Sequence, residues 1–265
     1  MKFTLSSVDY KPDMKIIGVI PARLGSSRFP GKPLATICGL PMIEHVYYRT
    51  RLCQALDQVY VATCDEEIAE ATARFGGDAV MTSPQHERAS DRIAEVAESV
   101  DSEIVVMIQG DEPLVIPEMI DLALAPLLNN PNVLCTNLAA PICSEEEFKD
   151  PNTIKVVMGQ NGDALYFSRA PIPMLQQMPF GTFPAFKQVC VIPFRREFLL
   201  RYTSLTPTPL EQAESIDMLR ALEHGYSIRL VRSDYVTQSV DTLADLARVE
   251  MMMQKDSLFP QYATR

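Results

Sequence analysis

Short apolar segments alternate with helical segments from residue 15 to residue 130, and this alternation limits the chain to few folds. The apolar segments are predicted to be strands: KIIGVIP (15–21), DQVYVATC (57–64), DAVMTS (78–83) and EIVVMIQGDEP (103–113). Helices are predicted over 41–56, 66–77, 90–100 (with Ser90 as the N-cap) and 117–130. Such an order forms right-handed βαβ units, and continuous apolar strands are typical of a sheet covered on both faces. The sequence therefore predicts an α/β fold with a mostly parallel sheet.

The second half of the chain has a different order of elements. Strands are predicted over 133–142, 152–159, 164–173, 187–194 and 227–234, and helices over 195–205, 209–225 and 241–255. Residues 173–186 are rich in Pro, Met and Phe and predict an irregular loop. We predict an N-terminal extension (1–14), one domain (15–255) with a smaller β-rich insertion at about 131–210, and a C-terminal tail (256–265).

The charge balance excludes some classes of partner. The formal net charge is −10, whereas nucleic acids and anionic membranes attract an excess of Lys and Arg. No apolar segment approaches the roughly 18 residues of a membrane span, and the first residues lack the apolar part of a secretory signal. The six cysteines are scattered singly, so a zinc site is not expected. We expect reduced thiols in a cytoplasmic protein.

The loop PARLGSSRFPGKP (21–33) is purely cationic in this acidic chain. It contains Arg23, Arg28 and Lys32, two glycines and two serines, and no acid. A Gly/Ser-rich backbone approaches phosphate closely, and Arg and Lys form charge-assisted hydrogen bonds with phosphate oxygens. The pattern matches neither GxxxxGK[ST] nor GxGxxG. It indicates a phosphate site, with a solvated basic turn as the alternative.

Acidic residues follow two later segments that should reach the same edge of the sheet. Asp111 and Glu112 end the strand in QGDEP (109–113), and Asp241 lies in SVDT (239–242). Mg²⁺ commonly uses one or two carboxylates together with substrate phosphates. We therefore predict a Mg²⁺ site at Asp111 and Asp241. The alternatives are a solvated turn at QGDEP and a helix N-cap at Asp241.

Several motifs together resemble a known family. IPARLGSSRFPGKPL, VMIQGDEP, ALYFSRAPIP, PLEQAE and VDT occur in the order found in the cytidylyltransferases that activate 3-deoxy-manno-octulosonate (Kdo), over about residues 15–250. The resemblance implies a Rossmann-like nucleotide-diphospho-sugar transferase fold. It also implies that the protein forms a homodimer. It also implies the reaction of CTP with a 2-keto-3-deoxy sugar acid, with Mg²⁺, to give a CMP-sugar and pyrophosphate.

The resemblance also implies roles for single residues. The catalytic residues would be Arg23, Lys32, Asp111 and Asp241, of which the two aspartates would hold Mg²⁺. The nucleotide would contact Ala22, Arg23, Ser26, Arg28, Lys32, Ala62, Thr63, Ser90 and Arg92. The sugar acid would contact Gln109, Arg169, Gln188, Glu211 and Gln212.

The chain departs from the family pattern in two segments. HERASDR (86–92) stands where HxSGTDR is usual, and KQVCVIPF (187–194) where KHxGxYxY is usual. Gln188 thus replaces a sugar-facing His and Ile192 replaces a Tyr. A pocket that forms a hydrogen bond with a substrate hydroxyl discriminates strongly against substrates that lack it. With these two residues changed, the acceptor substrate could be Kdo, amino-Kdo, another keto-acid sugar or a smaller acid. Two further alternatives are that the enzyme uses another nucleoside triphosphate and that the protein is a non-catalytic sugar-nucleotide binding protein.

Overall fold

The computed structural model describes residues 14–25, 29–235 and 237–263. The strands are β1 (Ile16–Pro21), β2 (Thr36–Ile37), β3 (Leu40–Pro41), β4 (Gln58–Thr63), β5 (Asp78–Met81), β6 (Ile104–Ile108), β7 (Thr136–Pro141), β8 (Lys155–Met158), β9 (Ala164–Ser168), β10 (Phe186–Val189), β11 (Val191–Arg195) and β12 (Arg229–Arg232). The α-helices are α1 (Met42–Arg51), α2 (Glu66–Arg74), α3 (Ala89–Ser99), α4 (Pro117–Asn129), α5 (Glu145–Lys149), α6 (Arg196–Ser204), α7 (Pro209–Glu214), α8 (Met218–Glu223) and α9 (Leu243–Met253). Short 3₁₀ turns lie at Lys32–Leu34 and Phe259–Gln261.

The central sheet has the strand order β11-β6-β1-β4-β5. β1 pairs in parallel with β4 and β6, β4 pairs in parallel with β5, and only the edge strand β11 runs antiparallel. All six residues of β1 are buried, as expected for a central strand with helices on both faces. The predicted α/β fold with a mostly parallel sheet is confirmed.

Apolar side chains pack on both faces of this sheet. On one face α1, α2 and α4 contribute residues such as Val46, Ile68 and Ile120 to a continuous core. On the other face α3, α6 and α8 contribute residues such as Ile93 and Phe198. The covered faces leave the strand ends as the place where polar side chains can converge.

A second five-stranded sheet has the order β12-β7-β10-β8-β9 and is antiparallel except for the β12–β7 pair. It contains the β-rich region predicted after residue 130. The single strand predicted over 187–194 is wrong, because the chain leaves the second sheet after Val189 and enters the central sheet at Val191.

Two predicted helix features are also wrong. The helix predicted over 209–225 is two helices, α7 and α8, separated at Ser215, whose φ of 52° is left-handed and ends α7. Ser90 is not the N-cap of α3; that position is Arg88, and Ser90 lies buried inside the helix. Within the described residues, none of the helices is long and apolar enough to cross a membrane.

Candidate active site

A cleft of about 420 Å³ opens at the carboxyl ends of β1 and β6. Because these strands are parallel neighbours, the segments that follow them leave the sheet side by side. Gly110 makes this approach possible, since a Cβ at this position would lie 2.9 Å from the backbone oxygen of Pro21. The residues that line the cleft are Pro21, Ala22, Arg23, Gly25, Lys32, Pro33, Met42, Gln109, Gly110, Asp111 and Asp241.

Lys32 lies at the centre of the polar contacts in this cleft. The chain turns at Gly31, which has a φ of 71°, and places Lys32 at the start of a 3₁₀ turn. Its ammonium donates to Asp111 Oδ2 (2.7 Å) and to the backbone oxygen of Val240 (2.9 Å), and it lies 3.5 Å from Asp241 Oδ1. Burial alone would lower the pKa of Lys32, but the two carboxylates outweigh burial and raise it. Lys32 is therefore a charged lysine between two carboxylates.

Asp241 is not a helix N-cap, so that alternative is wrong. The N-cap of α9 is Thr242, which forms a capping box with Asp245. The backbone N–H of Val240 donates to the backbone oxygen of Asp111 (3.0 Å), which joins the start of α9 to the segment after β6. The Asp241 carboxylate therefore faces the cleft beside Asp111 and Lys32.

The two aspartates suit Mg²⁺. Their carboxylates converge on one cationic atom, Lys32 Nζ, and both supply the hard oxygen ligands that this ion prefers. Within the described residues, no cluster of three or more His, Cys, Asp or Glu could hold a metal ion by itself. Two protein carboxylates completed by substrate oxygens are the usual arrangement for Mg²⁺ rather than an all-protein cage.

Two further polar groups lie beside this pair. Gln109 lines the cleft, and its buried Oε1 has no hydrogen-bond partner. A buried acceptor without a protein partner is uncommon, and a donor from a ligand or from water would satisfy it. Glu112 is only 7% exposed, and burial, followed by the charge of Asp111, raises its pKa to about 8. The QGDEP pattern marks Glu112 as an acid at a strand end, but nothing in it predicts this burial.

The other predicted nucleotide contacts lie at different depths. Arg23 is exposed at the rim of the cleft, and Ala22 is buried beneath it. Ser26 and Arg28 lie outside the described residues. Ala62 and Thr63 are fully buried at the end of β4. The Ala62 backbone oxygen accepts from Ala22 N (2.9 Å), so β4 supports the start of the cationic loop.

The segment 86–92 is fixed by contacts with the protein. Ser90 Oγ donates to Asp217 Oδ2 (3.1 Å). Arg92 Nη1 donates to Thr82 Oγ1, whereas its buried Nη2 has no hydrogen-bond partner. Arg92 thus keeps a buried donor without a protein partner, and its nucleotide contact stays a prediction.

Four of the predicted acceptor contacts form hydrogen bonds elsewhere in the protein or lie exposed. Arg169 Nε donates to the backbone oxygen of Glu214 (2.7 Å), and Gln188 Nε2 donates to Asn137 Oδ1 (2.6 Å). Glu211 is 1% exposed and accepts two hydrogen bonds from Arg220, at 2.6 and 2.8 Å. Gln212 is exposed. Of the predicted acceptor residues, the described structure brings Gln109 to the cleft, and the roles of the others stay predictions.

Ile192 occupies a different environment from the one that the sequence motif implied. It lies on β11 at 1% exposure and belongs to the apolar core of the central sheet. The replacement of Tyr by Ile at this position therefore lies in the core, whereas Gln188 keeps a polar group that differs from the His of the family pattern.

Comparison with known proteins identifies the family. Residues 17–229 match the family model described as Cytidylyltransferase. The 3-deoxy-manno-octulosonate cytidylyltransferase of Syntrophotalea carbinolica is 46% identical over 244 residues, which cover 89% of this chain and 98% of the relative. That of Geobacter metallireducens is also 46% identical, over 89% of this chain and 96% of the relative.

Solved structures agree with this result. A CMP:2-keto-3-deoxy-manno-octonic acid synthetase, solved in complex with CTP, has a TM-score of 0.83 and 40% identity and covers 91% of this chain and 99% of its own. A cytidylyltransferase of Leptospira borgpetersenii has a TM-score of 0.61 at 16% identity, over 92% of this chain and 88% of its own, and shows the fold alone. The chain is therefore a nucleotidyltransferase and belongs to the family of 3-deoxy-manno-octulosonate cytidylyltransferases.

Proposed function

We propose that this protein transfers the cytidylyl group of CTP to the anomeric hydroxyl of Kdo and releases pyrophosphate. The observation that carries the proposal is the convergence of Lys32, Asp111 and Asp241 at the base of the cationic loop. Relatives that are 46% identical are named for this acceptor, and a structural relative at 40% identity binds CTP.

The residues of the cleft suggest how the reaction is assisted. The sugar hydroxyl attacks the α-phosphorus, a new P–O bond forms, the α–β phosphoanhydride bond breaks, and the hydroxyl proton is released. Lys32 and Arg23 would neutralise charge on the phosphates. Asp111 and Asp241 would hold Mg²⁺, which when bound neutralises phosphate charge and lowers the pKa of a coordinated hydroxyl. No dedicated protein base is needed for this route.

Among the residues predicted to contact the sugar acid, Gln109 is the one that the geometry supports most directly. Gln109 lines the cleft, and its buried Oε1 has no hydrogen-bond partner in the protein, so we propose that this oxygen accepts from a hydroxyl of the sugar acid. Gln188 leaves the choice between Kdo and amino-Kdo open, because an amide differs from the His of the family pattern in its donors and acceptors. A different keto-acid acceptor is therefore the second candidate.

A panel of acceptors tests the proposal. Purified protein is incubated with CTP and Mg²⁺ and with Kdo, amino-Kdo or other keto-acid sugars, and pyrophosphate and the CMP-sugar are quantified. We expect both products with Kdo. Products with only another acid would support the second candidate, whereas CTP binding without turnover of any acceptor would support a binding protein.

The assembly and the location of the protein are also proposals. Residues 173–186 expose Met174 (82%), Met178 (50%) and Phe183 (38%), and we infer that this segment is covered in a homodimer. All six cysteines are free thiols, which agrees with the cytoplasmic location expected from the sequence.

A further inference from the structure

Arg49 on α1 is completely buried. Its exposed fraction is 0%, and it is among the largest side chains that are fully buried in the described residues. A buried guanidinium is costly unless its charge and its donors are satisfied. Asp256 supplies the charge, with its carboxylate oxygens 2.8 Å from Nη1 and 3.2 Å from Nη2. Arg49 therefore ties α1 to the chain that follows α9.

The same guanidinium also binds the segment that carries Asp111. Arg49 Nε donates to the backbone oxygen of Val115 (2.6 Å), and Nη2 lies 3.5 Å from that of Leu114. Two consecutive turns connect these carbonyls to the cleft: Val115 N donates to Glu112 O, and Glu112 N donates to Gln109 O. The position of Val115 is thus coupled to that of Asp111 through a short hydrogen-bonded segment.

Asp256 is coupled in the same way to the segment that carries Asp241. Asp241 immediately precedes Thr242, the N-cap of α9, and Asp256 follows the end of the helix, where Asp256 N donates to the Met253 backbone oxygen (3.1 Å). The Asp256 carboxylate is held in place by the backbone N–H groups of Leu258 and Phe259, at 2.9 and 3.0 Å. An α-helix transmits position along its axis as a nearly rigid rod.

We propose that Arg49 is a positioning residue, which holds the Asp111 segment and the end of α9 in one frame and so supports, together with the Val240–Asp111 backbone hydrogen bond, the relative placement of the two carboxylates proposed to hold the metal. The inference deepens the proposed function and rests on it. An arginine suits this task because its planar fork can donate to Asp256 and to the two carbonyls at once, whereas a lysine acts as a point charge. Arg49 touches no substrate in this assignment.

The test uses Arg49→Lys, Asp256→Asn and the double variant. Arg195→Lys is the matched control: Arg195 also donates to backbone oxygens, of Val133, Leu127 and Asn130, but it pairs with Ile104 at the opposite end of β6 from Asp111. For each protein we would measure kcat, the KM for CTP, thermal stability, and the binding of Mn²⁺ in the presence of CTP by electron paramagnetic resonance.

We expect kcat to fall and the Mn²⁺ dissociation constant to rise, each by about tenfold or more, in both single variants, because small misplacements of reacting groups are costly. The double variant should be no worse than the more severe single variant, because both changes break one contact set. Arg195→Lys should lose thermal stability but keep wild-type kcat and Mn²⁺ affinity.

Loss of stability with unchanged kcat and Mn²⁺ binding in Arg49→Lys and Asp256→Asn would show a purely structural role and overturn the inference. If Arg49→Lys does not fold, Asp256→Asn decides, because Asp256 is partly exposed. A wild-type protein without turnover would overturn the proposed function alone, because the Mn²⁺ comparison still tests the inference. Failure of the wild type to bind Mn²⁺ with CTP would overturn the inference.

Discussion

The ammonium of Lys32 neutralises two carboxylates that would otherwise repel each other at the base of the cleft. Replacing Lys32 with Ala removes this charge and the donor that we propose for the phosphates of CTP. We expect kcat to fall by about 10² or more, the usual effect of losing one preorganised electrostatic contact. Steady-state kinetics with CTP and Kdo measure this change. Lys149→Ala, at an exposed lysine paired with Glu145, is the control, and wild-type turnover by Lys32→Ala would refute the assignment.

The Arg49–Asp256 pair makes stability depend on pH. Burial alone would raise the pKa of Asp256, but the hydrogen bonds and charge of Arg49 outweigh burial and lower it below its ordinary value of 3.8. A lowered pKa means that the ionised group stabilises the fold above about pH 4 and that this contribution is lost as the pH falls through the folded pKa.

Thermal unfolding of wild type and Asp256→Asn from about pH 7 to about pH 2 measures this contribution. We expect the variant to be less stable at neutral pH and the difference from wild type to shrink below about pH 4. Glu70→Gln, at an exposed acid near Arg74, should show no such difference. A constant difference at all pH values would contradict the assignment.

Single residues could be predicted from the sequence where the signal is local. The cations of the loop at 21–33 and the acid Asp111 follow buried strands, so their common edge could be predicted from strand order. The pattern from Thr242 to Asp245 also contains a capping box that would have identified the N-cap of α9. The Arg49–Asp256 pair could not be predicted, because helical spacing indicates which face is buried but not its distant partner.

Among the elements, the β2–β3 hairpin has a turn with an unusual residue. Both loop residues, Cys38 and Gly39, have positive φ values, 48° and 89°, as type I′ turns require. Asn tolerates this conformation better than Cys, and Asn-Gly is the preferred pair in such turns. Cys38→Asn should therefore stabilise the protein, because it relieves part of the roughly 1–2 kcal/mol that the left-handed conformation costs most residues.

Urea unfolding of wild type and Cys38→Asn measures this difference. The backbone N–H of Cys38, which donates to Glu250 Oε1 (3.0 Å), is kept in the variant. Cys38→Val is the opposite control and should destabilise, because β-branched residues disfavour positive φ. A less stable Cys38→Asn would mean that the thiol packs better than the turn preference suggests.

Boundaries of elements were predictable where apolar periodicity begins and ends with turn residues, as in β1 and α4. The boundaries within the segment 187–194 were not predictable, because an unbroken apolar run predicts extended chain but does not indicate which sheet the chain joins. Its two halves belong to different sheets, and Gln109 N donates to the Cys190 backbone oxygen at the crossing point (3.0 Å). The break between α7 and α8 was missed because Ser215 is not a typical left-handed residue.

At the scale of the whole molecule, the parallel sheet could be predicted because its strands follow one another along the chain with helices between them. The second sheet was predicted only as a β-rich region. Its neighbours, such as β12 and β7, are far apart in sequence, and no local pattern sets such pairing. The state of assembly also depends on surfaces that no local sequence pattern sets.

The exposed apolar side chains of residues 173–186 provide a test of the state of assembly. Because several exposed Met and Phe side chains in one short segment are unfavourable unless a partner covers them, we expect a dimer by analytical ultracentrifugation. Met174→Glu places a charge at the most exposed of these side chains and should convert the protein to monomers without unfolding it. Met251→Glu, at a methionine that is 60% exposed on α9, is the matched control and should remain dimeric. Dissociation by Met251→Glu alone would locate the interface on α9 instead, and a wild-type monomer would exclude the homodimer.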